Sequence, residues 1–479
     1  MKTVCSIIFA SAVLALAANA GEISFAPYVA IPTGSWPEAV AIGDVNNDGR
    51  NDVVVGMRDM SDTLNDYKVL VFIQALDGTL DDPLRFDGGD ITAMSIADLN
   101  CDNRNDVVIG FDDSIGIFFQ DSSAILQPKT CYYSGFNVSA LTAGDFNGDG
   151  EIDIATSHFN DDFIRVFYQR AGGNFDSCQT FPAHHESWYG MNHGDLNNDG
   201  RDDILFMMGR YDNKNYLVYL QDSAGQLDSS GCYGLGDTTA WGTAVGDVNN
   251  DLRDDVVMSF GGNVPTSGLA VWTQDTFNHL QDIPACYPGY ECPEAVAIAD
   301  LDLDGRNDVV VANGGFGSVS VYQQSMAGLL LAYDTLSVLS SSHYMQPGMA
   351  VGDINSDGKP DIALGNTSAG KLVILYNNSA AGVTGEQAGQ IEHKDALAVK
   401  IAGNKISYKL PQSGVVSLKI YNLLGQQVST LFRGDQTGGS YKINWDGRDD
   451  SGRRVSSGVY LVRLEANGQA ATAKMVVLR

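Results

Sequence analysis

Asp44, Asn46, Asp48 and Asp52 stand at positions 1, 3, 5 and 9 of the segment Asp-Val-Asn-Asn-Asp-Gly-Arg-Asn-Asp. With a backbone carbonyl at position 7 and a glycine at position 6 to permit the sharp turn, such a set surrounds one hard divalent cation with oxygen. The set returns six times: Asp98, Asn100, Asp102 and Asp106; Asp145, Asn147, Asp149 and Asp153; Asp195, Asn197, Asp199 and Asp203; Asp247, Asn249, Asp251 and Asp255; Asp300, Asp302, Asp304 and Asp308; Asp353, Asn355, Asp357 and Asp361. All-oxygen donors suit Ca²⁺ and not Zn²⁺, which takes nitrogen or sulfur. An EF-hand shares the first half of this spacing but needs a bidentate Glu at position 12, where this chain has Val55 and Ile109. The expected cofactor is therefore Ca²⁺, up to seven ions. They read as structural, because loops that supply most of a cation's ligands leave little coordination open for catalysis.

The elements that must hold these loops follow from what flanks them. Each loop runs into a short β-branched stretch such as Val53-Val54-Val55, Val107-Val108-Ile109 or Val309-Val310-Val311, which is strand chemistry. Before each loop, small residues alternate with larger apolar ones, as in Ala39-Val-Ala-Ile-Gly43, Ala295-Val-Ala-Ile-Ala299 and Gly348-Met-Ala-Val-Gly352. Inner strands crowded around a common axis require that pattern. The loop starts are separated by 54, 47, 50, 52, 53 and 53 residues, a period that fits a four-stranded unit. The expected fold is all-β: a seven-bladed β-propeller over residues 21–378, then a small immunoglobulin-like β-sandwich. Only two strands follow the seventh loop before Asn377, so the segment Ile23–Ile31 is expected to supply the missing outer strand and remove an exposed edge.

These loops and strands resemble the FG-GAP or VCBS repeat family, which includes the integrin α-subunit propeller and many secreted bacterial proteins. The resemblance covers residues 22 to about 378, with two departures: Asn103 and Leu252 replace the position-6 glycine in the second and fifth loops. Weaker calcium binding is expected there. The family implies no single activity.

Residues 1–20 read as a secretory signal, with Lys2 ahead of an apolar run from Val4 to Ala18 and cleavage expected before Gly21. No later run is long enough to span a membrane, so the mature chain is expected to be exported and not membrane-spanning. A formal charge of −30 argues against nucleic acid as a partner. The loops hold 22 carboxylates at ligand positions, and seven bound Ca²⁺ ions would return 14 positive charges. At ~1 mM calcium and a dissociation constant of ~0.1 mM each ion adds about 1.4 kcal/mol, and seven add on the order of 10 kcal/mol, comparable to the stability of a whole domain. Cys286 and Cys292 flank a Pro-Gly turn and are expected to form a disulfide; Cys131, Cys178 and Cys232 recur at similar places in different blades.

Residues 379–395 have a linker composition, and beyond them the charge reverses. Residues 396–479 hold twelve Lys and Arg against five Asp and Glu. Alternation in Val416–Tyr421, Tyr441–Trp445 and Val459–Leu464 marks half-buried strands. Leu418-Lys-Ile-Tyr-Asn-Leu-Leu-Gly425, Trp445-Asp-Gly-Arg-Asp-Asp450, Ser457-Gly-Val-Tyr460 and the terminal Lys474–Arg479 look like the C-terminal sorting domain of type IX secretion substrates. They are equally similar to the immunoglobulin-like module of flagellar hook-capping proteins. The sorting resemblance implies type IX secretion machinery as a partner and a secreted or bacterial cell-surface location.

The loops entering each inner strand should form a rim on the face opposite the calcium loops. Trp36, Trp188 and Trp241 fall on that rim, joined by Glu38, Glu294, His184, His185, Tyr189 and Tyr344. Aromatic platforms beside carboxylates suit sugar rings, so the expected function is non-enzymatic binding or adhesion to an extracellular glycan or surface glycoprotein. The alternative is a polysaccharide lyase or other carbohydrate-active enzyme with His158, His193, Tyr189 and Tyr344 aimed at one pocket. A third possibility is adhesion to a protein partner across the same rim.

Overall fold

The computed structural model describes residues 23–379 and 398–477, except 60–63, 136, 160, 171, 184–186, 212–213, 237, 342, 344–345, 403–404, 411–412, 423–426, 438, 446, 449, 451, 456–457 and 467–468. The expected signal segment and nearly all of the linker lie outside the described residues. Two compact units divide the chain near residue 383. Among the described residues no helix is long and apolar enough to cross a membrane.

The first unit is all-β and built from repeated four-stranded antiparallel sheets, a propeller architecture. Among the described residues seven such sheets follow one another, the first comprising Trp36–Gly43, Asp52–Arg58, Lys68–Phe72 and Leu84–Asp87. The last combines Met349–Gly352, Asp361–Asn366 and Lys371–Leu375 with the N-terminal strand Val29–Pro32, whose Ile31 pairs with Leu372. The first strand of each sheet contacts that of the next, and the seventh returns to the first.

Burial explains why the second strands read as unbroken apolar runs. Val54 packs with Ile91, Val107 and Ile109 of the second sheet, whereas Val53 and Val55 pack with Ala363, Leu372 and Ile374 of the seventh. Both faces of each sheet are thus covered by neighbours, so alternation with polar residues is lost. Near the axis the space is tightest. A Cβ on Gly43 would come within 2.9 Å of Ile96 Cγ2, and one on Gly352 within 2.9 Å of Ile42 Cγ2. The same small-residue contact therefore operates at the closing junction and within the ring.

The second unit contains a three-stranded sheet of Ala398–Ala402, Lys405–Leu410 and Gly439–Asn444, and a four-stranded sheet in the order Gln427–Gln436, Gly414–Asn422, Gly458–Ala466, Gln469–Val477. Ile406, Tyr408, Val416, Leu418, Ile420, Trp445, Val462 and Leu464 form its core. Trp445 Nε1 donates to the Arg448 carbonyl at 2.8 Å, which satisfies the one polar atom its ring buries.

Candidate functional site

Every loop folds around its position-1 aspartate. Asp44 accepts from the amides of Asp48 and Gly49 at 3.1 and 2.7 Å, and Asn46 Oδ1 accepts from the Asp48 amide at 3.0 Å. Gly49 holds φ +83, and Leu252 and Asn103 adopt the same left-handed turn at φ +66 and +61. Leucine at such an angle is uncommon and costs roughly 1 kcal/mol or more.

The position-9 aspartates begin the second strands and are buried. Asp52 Oδ2 accepts from Val45 N at 3.1 Å, and its Oδ1 from Gln74 N at 2.9 Å. Asp106 and Asp153 repeat this with Gln120 and Gln169, Asp203 and Asp308 with Gln221 and Gln324, and Asp361 with Asn377. Burial pushes the carboxyls of Asp52, Asp106 and Asp361 up to about 6, and those of Asp153, Asp203, Asp255 and Asp308 to about 7. These carboxylates are costly in their charged form without a nearby cation.

Two observations bear on whether a cation fits. Asn100 Oδ1 and Asn197 Oδ1, both at position 3, are buried acceptors with no hydrogen-bond partner. In the sixth loop, oxygens of Asp300, Asp302 and Asp304 lie within 4.8 Å of one another. This donor set is the oxygen-only environment that a hard divalent ion takes. In five loops an arginine at position 7, such as Arg50 or Arg306, reaches back to the position-5 aspartate.

The loops are also tied to one another. Position 8 reaches the preceding loop: Asn105 Nδ2 donates to the Asp44 carbonyl at 3.2 Å and Asn307 Nδ2 to the Asp247 carbonyl at 3.0 Å. Asp202 and Asp254 instead accept from the amides of Asp145 and Asp195, both at 3.0 Å. The glutamines after the third strands add to this belt; Gln221 Nε2 donates to the Asp145 carbonyl at 2.7 Å and Gln274 Nε2 to that of Asp195 at 2.8 Å. One Gln or Asn per sheet at that place is a repeat signal visible in the sequence that our sequence reading did not use.

On the opposite face, the mouth of the ring is crossed by the 3-10 turn Gln346–Gly348, which lies against the first strands of sheets 1, 2, 4, 5 and 6. Gln346 Nε2 donates to the carbonyls of Thr243 and Val296 at 2.8 and 3.1 Å, and its Oε1 accepts from Val296 N at 3.0 Å. Among the described rim residues, Glu38 and Glu294 do not line an open channel. Glu38 and Glu294 are only 2% and 5% exposed. Glu38 lies 3.5 Å from Arg58, and Glu294 accepts from His343 Nδ1 at 2.8 Å. Burial raises the Glu38 carboxyl, with Arg58 opposing the shift.

Trp36 is 36% exposed and stands directly across from Arg58 in the strand pairing. Arg58 forms a two-pronged contact with Asp90, at 2.6 and 3.0 Å. Tyr67 is 45% exposed at φ +58, and Asp59, Asp90, Asp66 and Arg58 all act on its phenol. Trp36 thus shares a cluster with an arginine, carboxylates and a second exposed aromatic. Arg58, Tyr67 and Asp90 were not anticipated: Arg58 and Tyr67 flank the connection between the second and third strands of the first sheet, and Asp90 lies in the connection to the second sheet.

Several expectations need correction. Trp241 is half-buried and donates from Nε1 to the Gly261 carbonyl at 2.6 Å, so it is engaged in the loop beneath it. His158 and His193 do not share a pocket. His158 ends a second strand at the rim, with Ser134 Oγ at 2.9 Å and Arg165 at 2.8 Å, whereas His193 lies two residues before a loop aspartate at the other end, bonded to Thr142 Oγ1 at 2.8 Å. No disulfide joins Cys286 to Cys292. Cys286 packs against the cluster of Tyr216, Val218 and Trp272, whereas Cys292 is held by its amide to the Gly262 carbonyl at 2.6 Å, with its sulfur beside Asn263. His184, His185 and Tyr344 lie outside the described residues, as do the side chains of Trp188 and Tyr189.

Residues 7–55, 145–206, 195–258 and 300–364 match the FG-GAP-like repeat, 347–387 the FG-GAP repeat, and 398–470 the FlgD Ig-like domain. Integrin alpha pat-2 of Caenorhabditis briggsae is 27% identical over 201 residues, covering 35% of this chain and 16% of that protein. Human integrin alpha-7 is 32% identical over 131 residues, covering 25% and 11%. Rat phosphatidylinositol-glycan-specific phospholipase D is 26% identical over 164 residues, covering 31% and 19%. The chain spans less than a fifth of the length of these relatives. Among solved structures, an Agrocybe aegerita lectin that recognises non-reducing terminal N-acetylglucosamine superposes with a TM-score of 0.48 at 16% identity, covering 71% of this chain and 86% of that one. PorZ, a surface component of the type-IX secretion system of Porphyromonas gingivalis, superposes with a TM-score of 0.44 at 16% identity, covering 90% and 58%. The chain carries FG-GAP repeats in a propeller resembling that of integrin α-subunits, followed by a FlgD Ig-like module.

Proposed function

We propose that this protein is a secreted or cell-surface, seven-bladed propeller stabilised by calcium, acting as a non-enzymatic binding module for an extracellular polysaccharide or glycoprotein. The observation that carries the reading is the cluster of Trp36, Arg58, Tyr67 and Asp90 at the rim of the first sheet, with the two aromatic rings exposed. Exposed rings give a face for the apolar side of a sugar, and the flanking charged groups give hydroxyl partners. The 3-10 turn across the mouth favours a site on the outer rim over one inside the ring. Calcium is assigned to the seven acidic loops on the strength of their oxygen-only donors and the unpartnered Asn100 and Asn197 oxygens. The C-terminal module is assigned to sorting by type IX secretion machinery, from its resemblance and its place behind the propeller.

Affinity electrophoresis against a panel of neutral and acidic polysaccharides, combined with a glycan array, tests the binding role. Retention by at least one glycan, lost in Trp36→Ala with unchanged melting temperature, is the expected result. Retention that is indifferent to both Trp36→Ala and Tyr67→Ala would remove this rim as the site.

A further inference from the structure

The hexapeptide Pro-Glu-Ala-Val-Ala-Ile occurs twice, at residues 37–42 and 293–298, in the first strands of sheets 1 and 6. In the other five repeats the place of its glutamate, six residues before the loop aspartate, holds Thr92, Ser139, Tyr189, Trp241 and Pro347. Both glutamates fall where the strand pairing slips, and such a bulge re-aims a side chain. Both are buried beside a base: Glu38 lies 3.5 Å from Arg58, and Glu294 accepts from His343 Nδ1 at 2.8 Å. The connection between the second and third strands of sheet 6 closes over Glu294. Gly314 N donates to the Cys292 carbonyl at 2.9 Å, a Cβ on Gly314 would come within 2.3 Å of the Glu294 carboxylate, and Gly315 N donates to the Ser341 carbonyl at 2.6 Å. Phe316 follows, two residues from the glycine that rests on Glu294, and is 46% exposed. Tyr290, half-buried, meets it edge-on at 6.2 Å between ring centroids. In sheet 1 the corresponding connection carries Tyr67.

We propose that the rim of sheet 6 is a second sugar-binding subsite, with Phe316 and Tyr290 as its aromatic face and His343 as its hydroxyl partner, and that both subsites take a neutral β-linked glucan chain. This rests on the reading of the sheet 1 rim as a glycan site. Glu294 takes the Nδ1 proton of His343, which leaves Nε2 of a half-exposed imidazole to accept from a hydroxyl. At each rim the base already faces carboxylate, Arg58 with Glu38 and Asp90 and His343 with Glu294, so a uronate or sulfate would have to displace an existing partner. A neutral sugar displaces none. Equatorial hydroxyls leave the broadest C–H face to lie on an aromatic ring, which selects β-linked glucose units. One element touches both first strands: Gln346 bonds to Val296, and a Cβ on Gly348 would lie 3.1 Å from the Glu38 carbonyl oxygen. A polymer that engages both subsites gains roughly 100-fold over a fragment that fills one, so loss of either abolishes polymer retention.

The test is calorimetric titration of the full chain, in calcium-containing buffer, with cellotetraose, a fragment short enough to read each subsite separately. Two sites per chain are expected, one in Phe316→Ala, one in Trp36→Ala and none in the double variant, all at the parent melting temperature. Phe316→Trp should restore the second site, which separates a lost stacking face from a disturbed loop. If Phe316→Ala folds poorly, His343→Gln, which keeps a donor for Glu294, should still weaken the sheet 6 site alone by about tenfold. A single site that is lost in Trp36→Ala and indifferent to Phe316→Ala overturns the second subsite and leaves the first standing. A single site with the opposite dependence supports the sheet 6 assignment and removes the sheet 1 rim. Tighter binding of tetragalacturonate than of cellotetraose overturns the neutral-chain assignment. Absence of cellotetraose binding overturns the proposal as a whole, and the sheet 1 reading is then decided by polymer retention.

Discussion

Asn51 of the first loop donates from Nδ2 to the carbonyl oxygen of Asp353 in the seventh at 3.1 Å, joining residues 302 positions apart. The same side-chain-to-carbonyl bond recurs between successive loops, so the closing junction is held as the internal ones are. Asn51→Ala is expected to lower stability by about 1 kcal/mol, read as a shift of the denaturant midpoint at constant slope. Asn307→Ala should cost a similar amount. A neutral Asn51→Ala would mean that this bond contributes nothing to holding the junction.

Chelation should lower the melting temperature strongly, and the loops should differ in their contribution. Asp302→Ala is expected to remove one ion from a calcium titration and to cost about 1–2 kcal/mol in calcium but little in chelator. Leu252→Gly relieves a left-handed leucine and should stabilise the protein by about 0.5 kcal/mol, since part of the relief is offset by added freedom of the unfolded chain. A calorimetric titration with fewer than two high-occupancy sites would refute the calcium assignment.

His158 supplies a pH test whose sign is fixed. Burial first, and the Arg165 guanidinium second, hold its imidazole down at about 4, against 6.5 when exposed. Arg165 donates to Nδ1, which leaves Nε2–H to face Ser134. The unfolded chain therefore takes up a proton that the folded one refuses. Its stabilising effect is full above pH ~6.5 and is lost on acidification toward pH ~4, by about 3 kcal/mol. Comparison of His158→Gln with the parent in urea between those pH values should show a shallower loss for the variant.

At the rim, Trp36→Ala and Tyr67→Ala should abolish glycan retention while changing stability by less than about 1 kcal/mol, because both rings are substantially exposed. Arg58→Ala should behave differently. It leaves Glu38 buried without its cation, and a loss of about 2–4 kcal/mol is expected in thermal or urea melts.

The repeated loops and flanking strands were legible because each lies within a dozen consecutive residues. Asp44 to Val55 contains a turn, its donors and the strand that follows. The closing role of Val29–Pro32 was legible too, since a missing outer strand leaves an edge that something must cover. What escaped was assembled across loops. Arg58, Tyr67 and Asp90 meet only because the strands of the first sheet turn back on one another, and Gln346 bonds to strands that lie 50 and 103 residues away in sequence. Cys286 and Cys292 illustrate the converse error: nearness in the chain suggested a bridge, while Cys286 packs inward against its neighbouring sheet and Cys292 is anchored to another loop.

Because Val29–Pro32 completes a sheet whose other three strands begin at Met349, the first piece of the ring to be synthesised finds its partner only after more than three hundred further residues have emerged. Until then one latch strand and one incomplete blade stay unpaired, and both ends must reach the same compartment before the circle can lock. Passage across an envelope would have to deliver the chain either wholly open or wholly shut. An export step interrupted midway would strand two sticky edges on opposite sides of a barrier.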